Sequence, residues 1–411
     1  MARALIEKGW VFYRKGEYVQ AHEPLSEGLR LAREVKSKPE IALALNNLGA
    51  LTLYQRDFVT ARALYEESLA LRREIKDKPG IASSLFSLAI MATNEGNMSI
   101  ARSLYEESLM LRREIGDKRG IAASLTNLGA VAIFQSDYSM ARTVSEESLV
   151  LRREMGDKKG VAGSLHSLGF IAARQGDYAS ALVLFEESLA LERELGDRRG
   201  IAYLLNSMGP VVLAQGDFDT ARKLLEESLA LLRELGDKFG IAGVFYILGN
   251  LARTQGDFIE ARSLYEESLT LCNEMYDKWV MGGVLLGLGL VGLAEGAHEA
   301  REHILQSLSM YKELGEKLHQ TSCLIGVAGL ALQEGDSQRS AQLLGAVKSA
   351  LEELNVVVAF DLQLFHTQTL AAVREQLGES AFQSAWEAGE KWSLDDAIRF
   401  ALEDQAIGNG N

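Results

Sequence analysis

The chain has 411 residues, enough for two or three ordinary domains or for one long repetitive domain. Its formal net charge of −14 argues against a surface for nucleic acid or for an anionic membrane, because phosphate groups would be repelled. No apolar run reaches the roughly 18 residues of a membrane span, and the start lacks an export signal, so we expect a cytoplasmic protein. Two isolated cysteines, Cys272 and Cys323, fit that reducing compartment.

The dominant feature of the sequence is an internal repeat. The stretch "ARALYEESLALRREIKDKPGIA" from residue 61 recurs every 40 residues up to residue 261, and weaker copies start at 21, 300 and 341. Each copy predicts two helices, typified by residues 41–55 and 58–75. Small and apolar residues of the second helix recur at spacings of three and four, which places them on one face: Ala61, Leu64, Tyr65, Ser68 and Leu71. Such a pair buries its apolar face only against neighbouring copies.

Two kinds of turn separate the predicted helices. A Gly-Asp-Tyr/Phe turn, as at residues 216–218, ends the first helix with a glycine that can adopt a left-handed conformation. Its aspartate can cap the second helix. A Gly-Asp-Lys/Arg-x-Gly turn, as at residues 236–240, ends the second helix in the same way. Arginines before that turn, such as Arg112 and Arg113, lie near the carbonyl end of a helix, where positive charge is favoured.

The repeat resembles the tetratricopeptide repeat (TPR) family. The residues that carry the resemblance recur from unit to unit over roughly residues 1–350, and in one unit they are Leu48-Gly49, Asp57-Phe58, Ala61, Tyr65 and Ser68. The resemblance implies an all-α, right-handed superhelix of about nine helix-turn-helix pairs. We expect a TPR solenoid over residues 1–354, capping helices over 355–404 and a disordered tail at 405–411. Units of 40 residues exceed the commonest TPR length, which predicts longer helices and a wider groove.

Two irregularities lie in first helices. Pro210 removes one backbone hydrogen bond and is interpreted either as a tolerated kink or as a local widening of the groove at a ligand position. Residues 287–292 match the literal dinucleotide motif G-x-G-x-x-G. In the repeat register, however, Gly289 is equivalent to Gly249 and no strand precedes it, so we expect no nucleotide site. The glycines of 282–292 weaken that helix, which predicts a soft joint.

The segment "HEAREH" at residues 298–303 resembles a zinc-protease signature. Its histidines are five residues apart, about 140° around a helix, so they are poorly placed to share one metal ion. No nucleophile motif, phosphate loop or isolated carboxylate pair stands out elsewhere. We therefore expect no metal, no cofactor, no catalytic residue and no enzymatic activity.

By analogy with TPR proteins, the first helices line a concave groove that binds a partner. The residues that we expect to face it are almost uncharged and rich in aromatic and amide side chains, which suits an extended or helical apolar or amphipathic peptide. They are Asn46, Asn47, Tyr54, Phe86, Ile90, Asn94, Asn127, Phe134, His166, Phe170, Arg174, Asn206, Pro210, Tyr246, Asn250 and Arg253. The alternatives are that several of them form the core between repeats, that the chain is a spacer, or that it senses a small ligand.

Residues 341–404 leave the repeat and look like the closing helices of the TPR sensor arm found in bacterial multidomain ATPase and LuxR-type transcriptional regulators. Two hypotheses follow. The first is a non-catalytic scaffold or adapter that holds a protein or peptide segment in the groove, without direct contact to nucleic acid or membrane. The alternative is a ligand- or partner-sensing arm of a bacterial signalling regulator that has lost or lacks its ATPase and DNA-binding domains.

Overall fold

The described part of the chain is entirely helical. A computed structural model describes residues 1–403, and the tail predicted to be disordered at 405–411 lies outside the described residues, as does Asp404. Within residues 1–403 there are 21 α-helices and no strand. They are α1 (Ala2–Arg14), α2 (Tyr18–Glu34), α3 (Lys38–Tyr54), α4 (Phe58–Glu74), α5 (Lys78–Asn94), α6 (Met98–Ile115), α7 (Lys118–Phe134), α8 (Tyr138–Glu154), α9 (Lys158–Arg174), α10 (Tyr178–Leu195), α11 (Arg198–Ala214), α12 (Phe218–Leu235), α13 (Lys238–Thr254), α14 (Phe258–Met275), α15 (Lys278–Glu295), α16 (Glu299–Leu314), α17 (Lys317–Gln333), α18 (Ser337–Leu354), α19 (Gln363–Leu377), α20 (Glu379–Glu390) and α21 (Leu394–Leu402).

The helices follow each other as pairs, so the predicted fold class, an all-α solenoid of helix-turn-helix units, is confirmed. Nine pairs run from α1–α2 to α17–α18, and α19–α21 follow. The chain divides into two compact units. The N-terminal unit comprises Met1–Phe134 and Ser139–Gly156, and the C-terminal unit comprises Gln135–Tyr138 and the residues from Asp157 onward. The separation of residues 355–404 as a capping domain stays a prediction.

Both predicted turns have the expected geometry. Gly216, between α11 and α12, has a φ of 85°, and the Asp217 carboxylate accepts a hydrogen bond from the Thr220 N–H at 3.0 Å. In the second turn, Gly236 has a φ of 63° and the Asp237 carboxylate accepts from the Gly240 N–H at 3.1 Å. Each turn therefore ends one helix in the left-handed conformation and caps the next, which explains why the period stays at 40 residues up to residue 261.

Glycines allow the two helices of a pair to approach closely. A Cβ atom placed on Gly249 would lie 2.5 Å from the ring of Tyr265 on the partner helix, which is too close for a side chain. In α15 the additional glycines make room for rings of the preceding pair, because a Cβ on Gly283 would lie 2.8 Å from Tyr246 of α13 and one on Gly287 would lie 2.4 Å from Tyr265 of α14. The literal G-x-G-x-x-G therefore lies inside an unbroken helix and makes room for tyrosine rings.

Helix α15 is also the one described helix that is long and apolar enough to cross a membrane. Within its 18-residue window, 72% of the residues are buried inside the fold. Val284 and Val291 on this helix are fully buried among α13, α14 and α16 side chains. Its apolar composition is that of a core helix.

A recurring spacing within the repeats places one serine of most second helices against the preceding helix, whereas α2 has Gly28 at this position. In α6 the Ser108 hydroxyl is fully buried and donates to the main-chain carbonyl of Ala82 at 2.8 Å. The same bond joins the equivalent residues of other pairs, at distances of 2.6 to 2.8 Å: Ser68–Ala42, Ser188–Ala162, Ser228–Ala202, Ser268–Ala242 and Ser307–Gly282. The serine is therefore a small residue that also ties the two helices together.

We expect Ser108→Ala to lower the free energy of unfolding by about 1 kcal/mol, because it removes a buried hydrogen bond without adding volume. Ser103 lies on the same helix with its side chain exposed, so Ser103→Ala is the matched control and should cost nothing. Urea denaturation of the full chain measures both values. Equal effects of the two substitutions would contradict this role.

Candidate functional site

In the N-terminal unit, the predicted groove residues are largely engaged in packing between repeats. Asn46 is buried, donates to the Ser87 hydroxyl at 3.3 Å and accepts from the Ser84 hydroxyl at 3.2 Å. Asn47 is also buried. Phe86 is half-buried beneath the guanidinium of Arg112, which lies 4.4 Å from its ring centroid. For these residues the structure favours the alternative that they form the core between repeats.

Among the remaining predicted residues of this unit, the asparagine side chains form hydrogen bonds within their own helices. Asn94 donates to the main-chain carbonyl of Ile90 at 2.9 Å, and Asn127 donates to that of Ala123 at 2.9 Å. The ring of Tyr54, which is more than half exposed, stacks on Tyr18. Ile90 and Phe134 are half-buried. The structure does not gather these side chains into one site.

The C-terminal unit does gather its predicted residues. A cavity of about 220 Å³ is lined by six of them, two each from α9, α11 and α13: Phe170, Arg174, Asn206, Pro210, Tyr246 and Asn250. Helices α15 and α17 continue the wall with Trp279 and His319, and α16 adds Tyr311. We call this space the groove cavity. First helices of successive pairs thus supply most of its lining, which is the arrangement expected from the repeat.

The walls of the groove cavity are mainly apolar, with several aromatic side chains and a few polar groups. The Arg174 guanidinium lies over the ring of Phe170, 4.8 Å from its centroid. The Asn206 side-chain oxygen is buried and has no hydrogen-bond partner among the described residues. Pro210 follows four residues later and lacks the N–H that would bond the Asn206 main-chain carbonyl in a regular helix. A buried acceptor without a donor is unfavourable, so Asn206 is a point at which a ligand N–H would gain free energy on binding.

The remaining wall comes from an irregular segment between α18 and α19. We call residues Val356–Asp361 the strap. The Val357 N–H donates to the main-chain carbonyl of Arg174 at 3.2 Å, and the Val357 side chain lies against Gly176. Phe360 packs on the apolar cluster formed by α11, α12 and α13. The strap therefore lies across the groove cavity and narrows its opening.

A buried ion pair anchors the end of the strap. The Arg253 guanidinium donates to the Asp361 carboxylate at 3.0 Å and to the Asp361 main-chain carbonyl at 2.8 Å, and both residues are buried. Arg253 also donates to the Tyr265 hydroxyl at 3.3 Å, which in turn donates to the Asn250 side-chain oxygen at 2.6 Å. Burial raises the pKa of Tyr265 to about 12. Arg253 was predicted to face a partner, but in this structure its charge is neutralised by the strap of the same chain.

His166 lies beside the groove cavity and is not one of its lining residues. Its Nε2 atom is 2.8 Å from the Ser207 hydroxyl, and its ring meets the edge of Phe185 at a centroid distance of 5.6 Å. Burial lowers the pKa of His166 to about 4 because the charged imidazolium loses hydration there. His166 is therefore a neutral hydrogen-bonding group near neutral pH.

This shift sets an expected pH dependence. The pKa of His166 in the folded chain, about 4, lies below the ordinary value of 6.5, so the unfolded chain binds more protons between these two pH values. The free energy of unfolding should therefore fall as the pH is lowered through this window, with a contribution from His166 of up to about 1.4 kcal/mol per pH unit. His166→Gln should flatten the slope in denaturation measured from pH 7 to pH 4. The exposed His298→Gln is the control, and an identical slope in both variants would contradict the assignment.

Several residues of this site were not singled out from the sequence. Trp279 and Tyr311 flank His319, with ring centroids 5.0 Å and 4.7 Å from the imidazole. The strap was assigned only to the predicted cap. Its apolar run between two helices, "VVVAF", was the signal available, because an exposed connection is usually polar. In the described residues no group of three or more His, Cys, Asp or Glu side chains could hold a metal ion.

Family models match parts of the chain. A model described as tetratricopeptide repeat matches residues 40–114 and 160–234, and a second model of the same description matches residues 247–277. A model described as anaphase-promoting complex subunit 5 matches residues 2–55. No curated protein matches this chain in sequence. The matched stretches coincide with the repeat units found from the sequence.

Solved structures with a similar fold align with three quarters or more of this chain. A Rap protein complexed with competence and sporulation factor has a TM-score of 0.60 at 12% identity, and the alignment covers 91% of this chain and 99% of that chain. The Rap conjugation gene regulator of the plasmid pLS20, in complex with the Phr* peptide, has a TM-score of 0.60 at 15% identity and coverages of 92% and 98%. Aspartyl phosphate phosphatase F from Bacillus subtilis has a TM-score of 0.59 at 9% identity and coverages of 75% and 94%. At these identities the similarity shows the fold, a TPR solenoid.

Proposed function

We propose that this tetratricopeptide-repeat protein is a non-catalytic interaction module that binds an extended segment of a partner protein in the groove cavity of its C-terminal unit. Unlike the sequence-based hypothesis, which extended the binding surface over both units, the proposal is confined to α9, α11, α13 and their neighbours. The absence of enzymatic activity, the cytoplasmic location and the bacterial source stay predictions.

The observation that carries the proposal is the way in which the strap is held. A non-helical segment lies on this surface through one main-chain hydrogen bond to Arg174, apolar packing of Phe360 and a buried ion pair to Arg253. These are the three kinds of contact by which repeat proteins and other grooves hold extended peptides. A surface that binds a segment of its own chain in this way has the groups needed to bind a segment of another.

The composition of the wall supports an apolar or amphipathic partner. Phe170, Tyr246 and Trp279 are rigid and carry large apolar areas, so a side chain that is buried against them contributes strongly to affinity. The unpaired oxygen of Asn206 can accept a hydrogen bond from a peptide N–H. Two of the proteins with a similar fold also support the proposal, since they are described as complexes, one with competence and sporulation factor and one with the Phr* peptide.

The alternative hypothesis, a sensing arm of a signalling regulator, uses the same groove cavity and differs in what the binding event controls. The protein from plasmid pLS20 is described as a gene regulator in complex with a peptide, which favours keeping this alternative. An adapter and a sensing arm both require that the groove cavity binds a peptide segment, so the binding experiment below applies to both. The predicted resemblance to the arm of ATPase and LuxR-type regulators stays a prediction.

The test is a selection of random 12-residue peptides by display on the full chain, followed by titration calorimetry of the selected peptides. We expect Asn206→Ala to weaken their binding by about tenfold, because the peptide N–H loses its acceptor. The fold should tolerate this change, since the oxygen that it removes has no partner among the described residues.

The control is Ile259→Ala on α14, which removes an apolar side chain that is 85% exposed and makes no contribution to the groove cavity. It should leave the affinity unchanged. The proposal fails if no peptide is selected reproducibly, or if the selected peptides bind wild type and Asn206→Ala with equal affinity.

A further inference from the structure

The strap has a sequence that is unusual for a connection between helices. It reads Val-Val-Val-Ala-Phe-Asp, with no glycine, proline or lysine, whereas surface connections are usually polar. Its apolar side chains are not fully withdrawn into the core, and Val357 is 38% exposed. The segment thus combines the composition of a buried strand with a location on the groove surface.

The two ends of the strap make it a separable element. Asn355, with a φ of 52°, ends α18, and Leu362 is buried in the core cluster of α15–α21 just before α19 begins. Between these fixed points only the strap itself contacts the groove cavity. The strap can therefore leave while both neighbouring helices stay in place, as in a local opening. The opening breaks the buried ion pair between Arg253 and Asp361 and removes Val358 and Ala359 from the α15–α21 core cluster, so a partner segment must offset that cost.

The surface beneath the strap sets requirements for whatever replaces it. Arg253 is buried, so a ligand that displaces Asp361 must supply another carboxylate to avoid leaving an unpaired charge. The site of Phe360, on the apolar cluster of α11, α12 and α13, requires a large apolar side chain next to that carboxylate. The main-chain carbonyl of Arg174 requires a peptide N–H.

We infer that the strap occupies the place of the partner segment, and that this segment is an extended peptide in which an aromatic residue is followed directly by aspartate or glutamate, with β-branched residues before them. The inference rests on the proposed function and adds its ligand chemistry and its regulation. A partner binds only when the strap is displaced, so the measured association constant equals the intrinsic one multiplied by the fraction of molecules in which the strap is displaced.

The probe is the synthetic peptide Val-Val-Val-Ala-Phe-Asp, acetylated at its N-terminus and amidated at its C-terminus so that the aspartate side chain is its only carboxylate, titrated into the full chain. The strap variant carries Phe360→Ala and Asp361→Asn, which remove the aromatic contact and the carboxylate and leave unchanged the walls that helices α9, α11 and α13 contribute. We expect this variant to bind the peptide at least tenfold more tightly than wild type does. Adding Arg253→Met to the strap variant should weaken binding by about thirtyfold or more.

A second variant distinguishes a loss of binding from a loss of folding. Phe360→Ala alone keeps the ion pair and should give an affinity between those of wild type and the strap variant, with far-UV circular dichroism confirming helix content in each. Ile259→Ala is again the control. The inference is overturned if wild type and both strap variants bind the peptide equally, or if the folded strap variant does not bind it. It is also overturned if a peptide with asparagine in place of the terminal aspartate binds as tightly as the original peptide.

These outcomes are distinguishable from failure of the proposed function. Display-selected peptides that depend on Asn206 but bind wild type and the strap variant equally would retain the groove function and overturn the strap inference. If no peptide depends on Asn206 in either background, the groove function itself is overturned.

Discussion

Asp361→Ala should lower the free energy of unfolding of the C-terminal unit by about 3–5 kcal/mol. The substitution leaves the buried Arg253 guanidinium without its carboxylate, and an uncompensated buried charge is costly because no water replaces the lost partner. Replacing both partners by apolar residues, Arg253→Met with Asp361→Leu, should cost less than the single change, since no buried charge remains. Guanidinium denaturation followed by circular dichroism measures the three free energies.

An exposed pair on the same unit provides the control. Lys238 and Glu274 form an ion pair of 2.8 Å with side chains that are 60% and 50% exposed, so Glu274→Ala should cost less than about 1 kcal/mol. If Asp361→Ala costs no more than Glu274→Ala, the strap is not anchored by this pair. If the double substitution is the more damaging one, the penalty does not come from the unpaired charge.

The second large effect is expected at the crossing of α18 and α20. A Cβ atom on Gly389 would lie 1.8 Å from the main-chain carbonyl oxygen of Gln342, and the reciprocal contact places a Cβ on Gly345 2.3 Å from the carbonyl oxygen of Trp386. Because the obstacle is backbone, no side-chain rotation relieves the overlap and the helices must separate. We expect Gly389→Ala to lower the free energy of unfolding by about 3 kcal/mol or more.

Gly163→Ala is the matched comparison. Gly163 also lies inside a helix, α9, but a Cβ there meets nothing within 4 Å. Alanine at this position should stabilise the chain by about 0.5–1 kcal/mol, because it reduces the conformational freedom of the unfolded state. The change in tryptophan fluorescence on thermal unfolding reports on the α20 region through Trp386 and Trp392. A stability of Gly389→Ala equal to that of wild type would show that the crossing tolerates separation.

The repeat allowed much of the fold to be predicted from the sequence. The second helix expected at 58–75 is α4, Phe58–Glu74, and the first helix expected at 41–55 is α3, which begins three residues earlier at Lys38. Agreement is close because most boundaries are determined locally, by a left-handed residue at the turn and, in many units, by an aspartate that caps the next helix. The glycine-rich stretch of α15 could likewise be assigned to a helix by register alone, although its contacts with tyrosine rings could not.

The candidate site was predictable only where the repeat positions residues. Phe170, Pro210 and Asn250 lie 40 residues apart, at equivalent positions in successive first helices, so the periodicity brings them to one wall. The same periodicity predicted that Asn46 faces the groove, whereas in the structure its side-chain amide is hydrogen-bonded to serines of the next repeat. Whether the residue at a given repeat position is accessible depends on the neighbouring side chains, which differ from one unit to the next.

The strap could not be predicted, because it belongs to no repeat. The contact between Arg253 and Asp361 joins residues 108 positions apart, and nothing local in either stretch indicates the other. This long-range ion pair forms only because the chain passes over the first helices after α18, the last helix of the repeat pairs. For the same reason the predicted role of Arg253 as a contact to a partner required revision once the strap was placed.

The most direct test of the central claim is a crystal structure of the full chain with a display-selected peptide. We expect the peptide to lie extended along Phe170, Asn206 and Tyr246, with the strap withdrawn from the groove cavity and a peptide carboxylate bound to Arg253. A peptide bound on another surface, with the strap still seated against Arg174 and Arg253, would contradict the claim that this groove is the binding site.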